Sequence, residues 1–262
     1  MNNVNKTLYI PLYGKAYVSQ KGIILHDPKA EEIWAAEGFA LKGKSKSKWL
    51  AYYMGMRSAV FDDWLREQMN LDEDAIVIHI GCGMDSRITR VGSLGHAWYD
   101  VDFPEVIQER KRYYQESTEY RMIESDARKN EWLKSLPREK NAIIVMEGVS
   151  MYFQLDELRK LLKDLSSQFN QVHLLMDCYT VWAAKASKYK NPINDVGVTE
   201  VHGIDDPKVL EEGTGLVFVK AHQMTPETYV NRLSGAERVI FQKVFGGKLS
   251  TKMYRLYEYR SW

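Results

Sequence analysis

Between Ile76 and Arg90 the chain reads IVIHIGCGMDSRITR: an apolar run, a Gly81-Cys82-Gly83 turn, and a helix-compatible stretch directly behind it. A short apolar run of that kind suits a parallel strand buried on both faces, and its glycines let a ligand approach bare backbone beside a helix N-terminus. About 20 residues on, a second apolar run ends in acids, Trp98-Tyr99-Asp100-Val101-Asp102. In a doubly wound α/β sheet an acid at that place takes the hydroxyls of a ribose. Together the two features predict a nucleoside-like ligand at the carboxyl ends of parallel strands.

The rest of the chain alternates in a compatible way. Residues 31–40 and 51–69 carry apolar positions at helical spacing, and roughly the first 70 residues read as helices and loops. From residue 75 onward the pattern gives strands over 76–80, 97–101, 120–123, 142–146 and 172–176. Helices are expected between them over 85–94, 104–116, 130–136 and 155–169, the last with Leu155, Leu158, Leu161, Leu162 and Leu165 on one face. Regularity fails over 183–203, a polar stretch too long for an ordinary connection and therefore expected to be a lid or substrate loop. A capped helix over 206–212, a strand at 216–219, a helix over 226–244 and a strand at 253–259 complete the pattern. The expectation is one domain over residues 1–262, α/β in class, with an N-terminal helical segment. Its doubly wound, mainly parallel sheet has about seven strands, with helices on both faces. The closing strand–helix–strand suits an antiparallel hairpin at one sheet edge.

Thirty-six basic and 35 acidic residues leave a net charge of +1, so there is no global field to recruit nucleic acid or an anionic membrane. A small molecule is the expected partner. The first residues hold no apolar core of signal-peptide length, and no later segment reaches a spanning length. Cys82 and Cys178 lack the spacing of a metal site or a CxxC pair, so no metal is expected and a reduced, cytoplasmic setting is.

A dinucleotide site wants a third glycine, which lets helix and strand pack beneath a pyrophosphate. Here the run is Gly81-Cys82-Gly83-Met84-Asp85-Ser86, and Asp85 would bring negative charge towards the phosphates. A ligand without phosphate removes that conflict. S-adenosylmethionine offers a ribose, an adenine and a zwitterionic amino-acid tail. The alternatives are a nicotinamide-dependent oxidoreductase, against which the missing third glycine speaks, and a cofactor-binding interaction protein without catalysis.

The phrases IHIGCGMDSRITR, YDVDFPEVIQERK and IIVMEGVSMYF, in this order and at these distances, resemble the leucine carboxyl methyltransferase family, which includes bacterial O-methyltransferases of polyketide pathways. LHDPKA and MRSAVFDDWL upstream are similar to its N-terminal phrases, and the likeness fades after about Asp177. The resemblance implies a class I methyltransferase fold and S-adenosylmethionine as cofactor. It implies that Gly81 and Gly83 lie against the methionine part of the ligand, that Cys82 and Asp85 also contact the ligand, and that Arg57 pairs with its carboxylate. It also makes Asp102 the ribose acid, with Asp100 as fallback, and Asp126 the acceptor from the adenine amino group. Glu147 would face the ligand ammonium or the reaction centre, and a lone carboxylate after IIVM would be costly to bury without a partner. Each has a plainer reading: Arg57 as a surface helix residue, Asp85 as a helix cap, Asp126 as a loop residue.

A carboxylate acceptor is ionised at neutral pH and needs no base, whereas a phenol usually needs one, most often His. Of the six histidines, His79 and His173 fall in strands, and His26 and His202 lack neighbours that would mark a base. Methyl transfer to a carboxylate, or to a hydroxyl, of a small molecule is the expected reaction. Glu147 and Tyr152 are the residues expected at its centre. Candidate acceptor contacts are Tyr152, Tyr179 and Trp182, which follow strands, and Lys15 and Lys21 near the N-terminus. Core packing is the competing reading for the aromatics. Lysines 42, 44, 46 and 48 read as a solvated loop.

Overall fold

The computed structural model describes residues 8–37, 46–187 and 201–262. Three helices come first: α1 (Tyr9–Gln20), α2 (Pro28–Glu37) and α3 (Lys48–Leu71). Then follow β1 (Ile76–Ile80), α4 (Arg87–Val91), β2 (Trp98–Asp102), α5 (Pro104–Arg110), β3 (Tyr120–Glu124), β4 (Ala142–Met146), α6 (Leu155–Gln168) and β5 (Val172–Tyr179). The chain continues through α7 (Val181–Ala186), β6 (Val217–His222), α8 (Glu227–Val230), α9 (Gly235–Val244), α10 (Gly247–Met253) and β7 (Tyr254–Arg260). The seven strands form one sheet in the order β3-β2-β1-β4-β5-β7-β6. The first five are parallel, and β7 runs antiparallel to both β5 and β6, which is the expected edge hairpin.

Strand side chains alternate between faces, and the sequence of each inner strand is apolar on both. Val77, Trp98, Val145 and Leu175 pack into a core with α1 and α3. Ile76, Ile78, Ile80, Ile144 and Leu174 pack on the other face with Leu158, Leu161, Leu162 and Leu165 of α6. The leucine stripe of α6 was plain in the sequence, and its start is closed by a capping box between Gln154 and Glu157. The helix α3 starts at Ser47, whose side chain accepts from Trp49 N at 3.3 Å. It is buried nearly all round, with Met56, Phe61 and Leu65 fully covered, because α1 packs on it while it lies on the sheet.

Some boundaries differ from expectation. The helix expected over 226–244 is broken into α8 and α9, because Ser234 is extended and resets the chain before Gly235. The stretch expected as a helix at 206–212 is a single 3₁₀ turn, Pro207–Leu210. Helices α7 and α10 were not anticipated, and α1 only as part of the helical first 70 residues, without bounds. Apolar residues cover most of α1, so it carries no stripe to read. The expected lid lies mostly outside the described residues, as do residues 188–200 of it and lysines 42 and 44. No helix among the described residues is long and apolar enough to cross a membrane.

Candidate functional site

A cavity of about 640 Å³ opens over the carboxyl ends of β1, β4 and β5, between the sheet and the helices α1, α3, α7 and α10. Gly81, Cys82, Gly83 and Asp85 of the glycine turn line it, together with Lys15, Arg57, Glu147, Tyr152, Tyr179 and Trp182. The structure thus brings ten of the candidate residues together from five separated stretches of chain. Register explains much of this. Glu147 and Asp177 each follow the paired Met146 and Met176, and Gly81 follows Ile80, which pairs with Val101 ahead of Asp102. Four strand ends therefore place Asp102, Gly81, Glu147 and Asp177 in a row on the face that packs against α3.

Gly81 has φ +67°, and a Cβ added there would stand 2.2 Å from Val149 Cγ2. Gly83 has φ +51°, and a Cβ there would stand 2.8 Å from Leu8 Cδ2. Both positions need glycine, and the turn therefore presents bare backbone to the cavity. Asp102 secures the turn from behind, accepting from Gly83 N at 2.7 Å and from Phe103 N at 2.8 Å. It does not line the cavity, but a carboxylate has about four acceptor positions and only two are used. Burial raises its pKa to about 6, against the lowering effect of those two N–H donors.

Arg57 is no surface residue. Buried on α3, it donates from Nε to Glu147 at 3.0 Å and from Nη1 to Asp177 at 2.8 Å. Ser58 adds a bond to Glu147 at 2.9 Å, and Arg87 Nη2 reaches the second Glu147 oxygen. Burial pushes the Glu147 carboxyl up, but Arg57 and Arg87 hold it at about 2. Asp177 goes the other way: burial raises it above the usual carboxylate range, opposed by Arg57 and by Gly148 N at 2.6 Å. Buried carboxylates persist as charges only when so paired.

Asp85 does not cap α4. It lies 3.2 Å from Lys15 Nζ, 2.7 Å from Arg90 Nη1 and 3.2 Å from Arg87 Nη2. Arg87 is the centre of the network, since it also donates to Asp62 at 2.8 Å and to His79 Nε2 at 3.2 Å. Because arginine only donates, His79 carries its proton on Nδ1, and burial next to Arg87 lowers its pKa to about 4. His79 is thus a neutral core histidine that also lines the cavity. Asp27 ties the N-terminal helices to the same place: it accepts from Ser86 Oγ at 2.6 Å, from Arg90 at 2.7 Å and from Ala30 N at 2.9 Å.

Other candidates stand elsewhere. Lys21 lies outside the cavity, exposed, with its ammonium 5.2 Å from the Tyr17 ring centroid, because α1 ends one residue earlier and turns away. Asp126 does not line the cavity either; it is chelated by the Arg128 guanidinium, 2.9 and 3.0 Å from Nε, and accepts Arg128 N. That pairing lowers its pKa despite partial burial. Asp100, the fallback acid, is excluded from the site: fully buried, it binds Trp98, Tyr120 and Arg110. Arg110 in turn donates to the carbonyls of Gly83 and Asp85, so this pair braces the turn from beneath. Sequence reasoning passed over Arg87, Asp177, Tyr53, Ser250 and Tyr254. Asp177 directly follows the run expected as a strand over 172–176, as Glu147 follows 142–146, a signal that was legible although β5 itself runs on to Tyr179; the other four become neighbours only through tertiary packing.

These groups suit S-adenosylmethionine. Lys15 and Arg57 can meet a carboxylate, ionised Glu147 an ammonium, and Asp102 a ribose, while Asp85 would repel a pyrophosphate. The family model of leucine carboxyl methyltransferases matches residues 9–166. The chain is 28% identical over 233 residues to a tetracenomycin polyketide synthesis O-methyltransferase, TcmP, of Streptomyces glaucescens, covering 88% of this chain and 86% of that one. It is 23% identical over 234 residues to an S-adenosyl-L-methionine-dependent methyltransferase, dpfgK, of Gibberella zeae, covering 80% and 78% of the two. The fold matches that of magnesium protoporphyrin IX methyltransferase from Synechocystis PCC 6803, solved with SAH bound, at a TM-score of 0.53 and 13% identity over 95% of this chain and 97% of that one. The chain belongs to the leucine carboxyl methyltransferase family, and so to the S-adenosylmethionine-dependent methyltransferases.

Proposed function

We propose that the protein moves a methyl group from S-adenosylmethionine to an oxygen, preferentially a carboxylate oxygen, of a small-molecule acceptor. The observation that carries this is the convergence of the glycine turn, Lys15, Arg57 and ionised Glu147 on one cavity that continues into an aromatic chamber. The bound cofactor supplies an electrophilic methyl group: the acceptor oxygen forms the new bond to carbon, and the carbon–sulfur bond breaks with its electron pair left on sulfur. The protein's part is alignment and exclusion of water. Gly81 and Gly83 give the methionine moiety close backbone contact, with Cys82 and Asp85 beside it. Glu147 holds the ammonium, Lys15 and Arg57 the carboxylate, and Asp102 the ribose. Tyr152, Tyr179 and Trp182 bound the acceptor. One relative, named as an O-methyltransferase of polyketide synthesis, supports an oxygen acceptor of small size.

Calorimetric titration with S-adenosylmethionine, its demethylated product and NADH tests the reading. Binding of both sulfur ligands, at a dissociation constant on the order of micromolar and without NADH, is expected. Binding of NADH alone would replace it with an oxidoreductase. Binding of the sulfur ligands without transfer to any acceptor in a broad panel would leave a non-catalytic cofactor-binding protein.

A further inference from the structure

One wall of the cavity is built from tyrosines. The ring of Tyr53 on α3 lies 5.8 Å from that of Tyr254 at the start of β7. Tyr254 meets Tyr179 at the end of β5 edge-on, 4.5 Å between centroids. Their hydroxyls are engaged with one another and with α10: Tyr53 Oη stands 3.1 Å from Ser250 Oγ, and Tyr254 hydrogen-bonds Tyr179. Four hydroxyls from α3, α10, β5 and β7 so gather on the lining of the same cavity, one helical turn along α3 from Arg57. Aromatic packing alone would be served as well by phenylalanine.

The chemistry of this wall is one-sided. Burial raises the pKa of Tyr53 and of Tyr254, so these phenols keep their protons and act as donors. The ionisable groups that share the cavity have partners already: Glu147 with Arg57 and Arg87, Asp85 with Lys15 and Arg90, and His79 with Arg87. Among the described lining residues no side chain is placed to take a proton from a neutral acceptor. The rim points the same way. Lys185, Lys243 and Lys252 are exposed next to the lining residues Ala186, Val244 and Met253. Residues 181–187 and 239–253 contain no Asp or Glu at all. Trp182, Phe245 and Met253 give the same region an apolar lining.

We propose that Tyr53, Tyr179, Tyr254 and Ser250 form the subsite that receives the reacting oxygen of the acceptor as an anion, and that they select an ionised, apolar-bodied acid over its neutral counterpart. The assignment rests on the methyl-transfer reading above. Each hydrogen-bonded pair leaves one hydroxyl to donate to the oxygen, while Arg57, bonded to Glu147 and Asp177 through Nε and Nη1, is left to the cofactor carboxylate.

The test is calorimetry on the full chain saturated with S-adenosylhomocysteine, using 2-naphthoate and its neutral methyl ester as probes. The naphthoate is expected to bind at least about tenfold more tightly than the ester, the scale of a charge-assisted hydrogen bond. Tyr53→Phe and Ser250→Ala should each remove most of that preference and leave the affinity for S-adenosylhomocysteine within about twofold. Tyr254→Phe serves as the second variant if either fails to fold, as judged by its thermal transition. Equal binding of acid and ester, absence of naphthoate binding, or an unchanged preference in the folded variants would each overturn the proposal. Failure of the wild type to bind S-adenosylhomocysteine would instead sink the cofactor assignment, so the two failures are distinguishable.

Discussion

At the scale of single residues the site sets two carboxylates at opposite ends of the titration range. Glu147 is held ionised at about 2, while Asp102 is raised to about 6 by burial. A ribose hydroxyl is bound best by the ionised form of Asp102. Cofactor affinity should therefore be full above its pKa and fall as pH drops through it, whereas Glu147 and neutral His79 do not titrate in that window. Measured between pH 5 and 8, the affinity for S-adenosylhomocysteine should fall with acid in the wild type. In Asp102→Asn it should be about tenfold weaker and flat; an acid-independent wild type would remove Asp102 from the ligand. Glu147→Gln retains the shape of the side chain but leaves two guanidiniums short of a charge. It should weaken cofactor binding by about tenfold or more in a protein that still melts cooperatively, and wild-type affinity and turnover would make Glu147 purely structural. Much of this was legible in the sequence. Gly81, Asp102 and Glu147 each follow an apolar run, so strand ends predicted their positions. Arg57 was legible only through family resemblance, because a helix buried on all sides shows no functional face. Tyr53 and Ser250 were not legible at all, since 197 residues separate the two hydroxyls.

At the scale of elements the N-terminal helices are functional parts of the site and not an appendage. Asp27 bonds Ser86 and Arg90 behind the glycine turn and also caps α2, while α1 supplies Lys15 to the cavity and Leu8, just ahead of α1, lines it too. Asp27→Ala should lower stability by about 1–3 kcal/mol, since it leaves Ser86 Oγ and Ala30 N without their acceptor while Arg90 keeps Asp62 and Asp85, and should weaken cofactor binding through the loosened α1. Urea denaturation and calorimetry on one preparation would check both; an unchanged midpoint would show that α1 and α2 are held by apolar packing alone. The turn is equally exacting. Gly81→Ala combines φ +67° with a 2.2 Å approach to Val149, and loss of ligand binding is expected from titration with S-adenosylhomocysteine. These ties explain why LHDP and the residues from Met56 to Leu65 accompany the glycine phrase in the sequence: Asp27, Arg57 and Asp62 all bond to groups in or beside the site. Periodicity gave the sheet and α6 because those elements have two distinct faces. It gave no bounds for α1, which is covered on most sides, and missed α10, which is short.

At the scale of the whole molecule a nearly neutral chain conceals an uneven distribution of charge. A net charge of +1 excluded a global field, but the total averages over a buried ion-pair network and a rim whose exposed charges are lysines. The sheet shows how far the ends of the chain cooperate: β7 lies between β5 and β6 although it follows both. A protein cut after Met253 would lose β7 and with it every ladder bond of β6. Circular dichroism of that truncation should show loss of the cooperative transition; a native-like melt would mean that the five parallel strands suffice. The same threading has a consequence for synthesis on the ribosome, where strands emerge in order. When β6 leaves the exit tunnel its partner does not yet exist, and β5 presents an open edge to the cell. With no ladder partner of its own until β7 exists, β6 can join the sheet only together with the last strand, so the wall of hydroxyls, which needs Tyr254, closes only after that strand has been made.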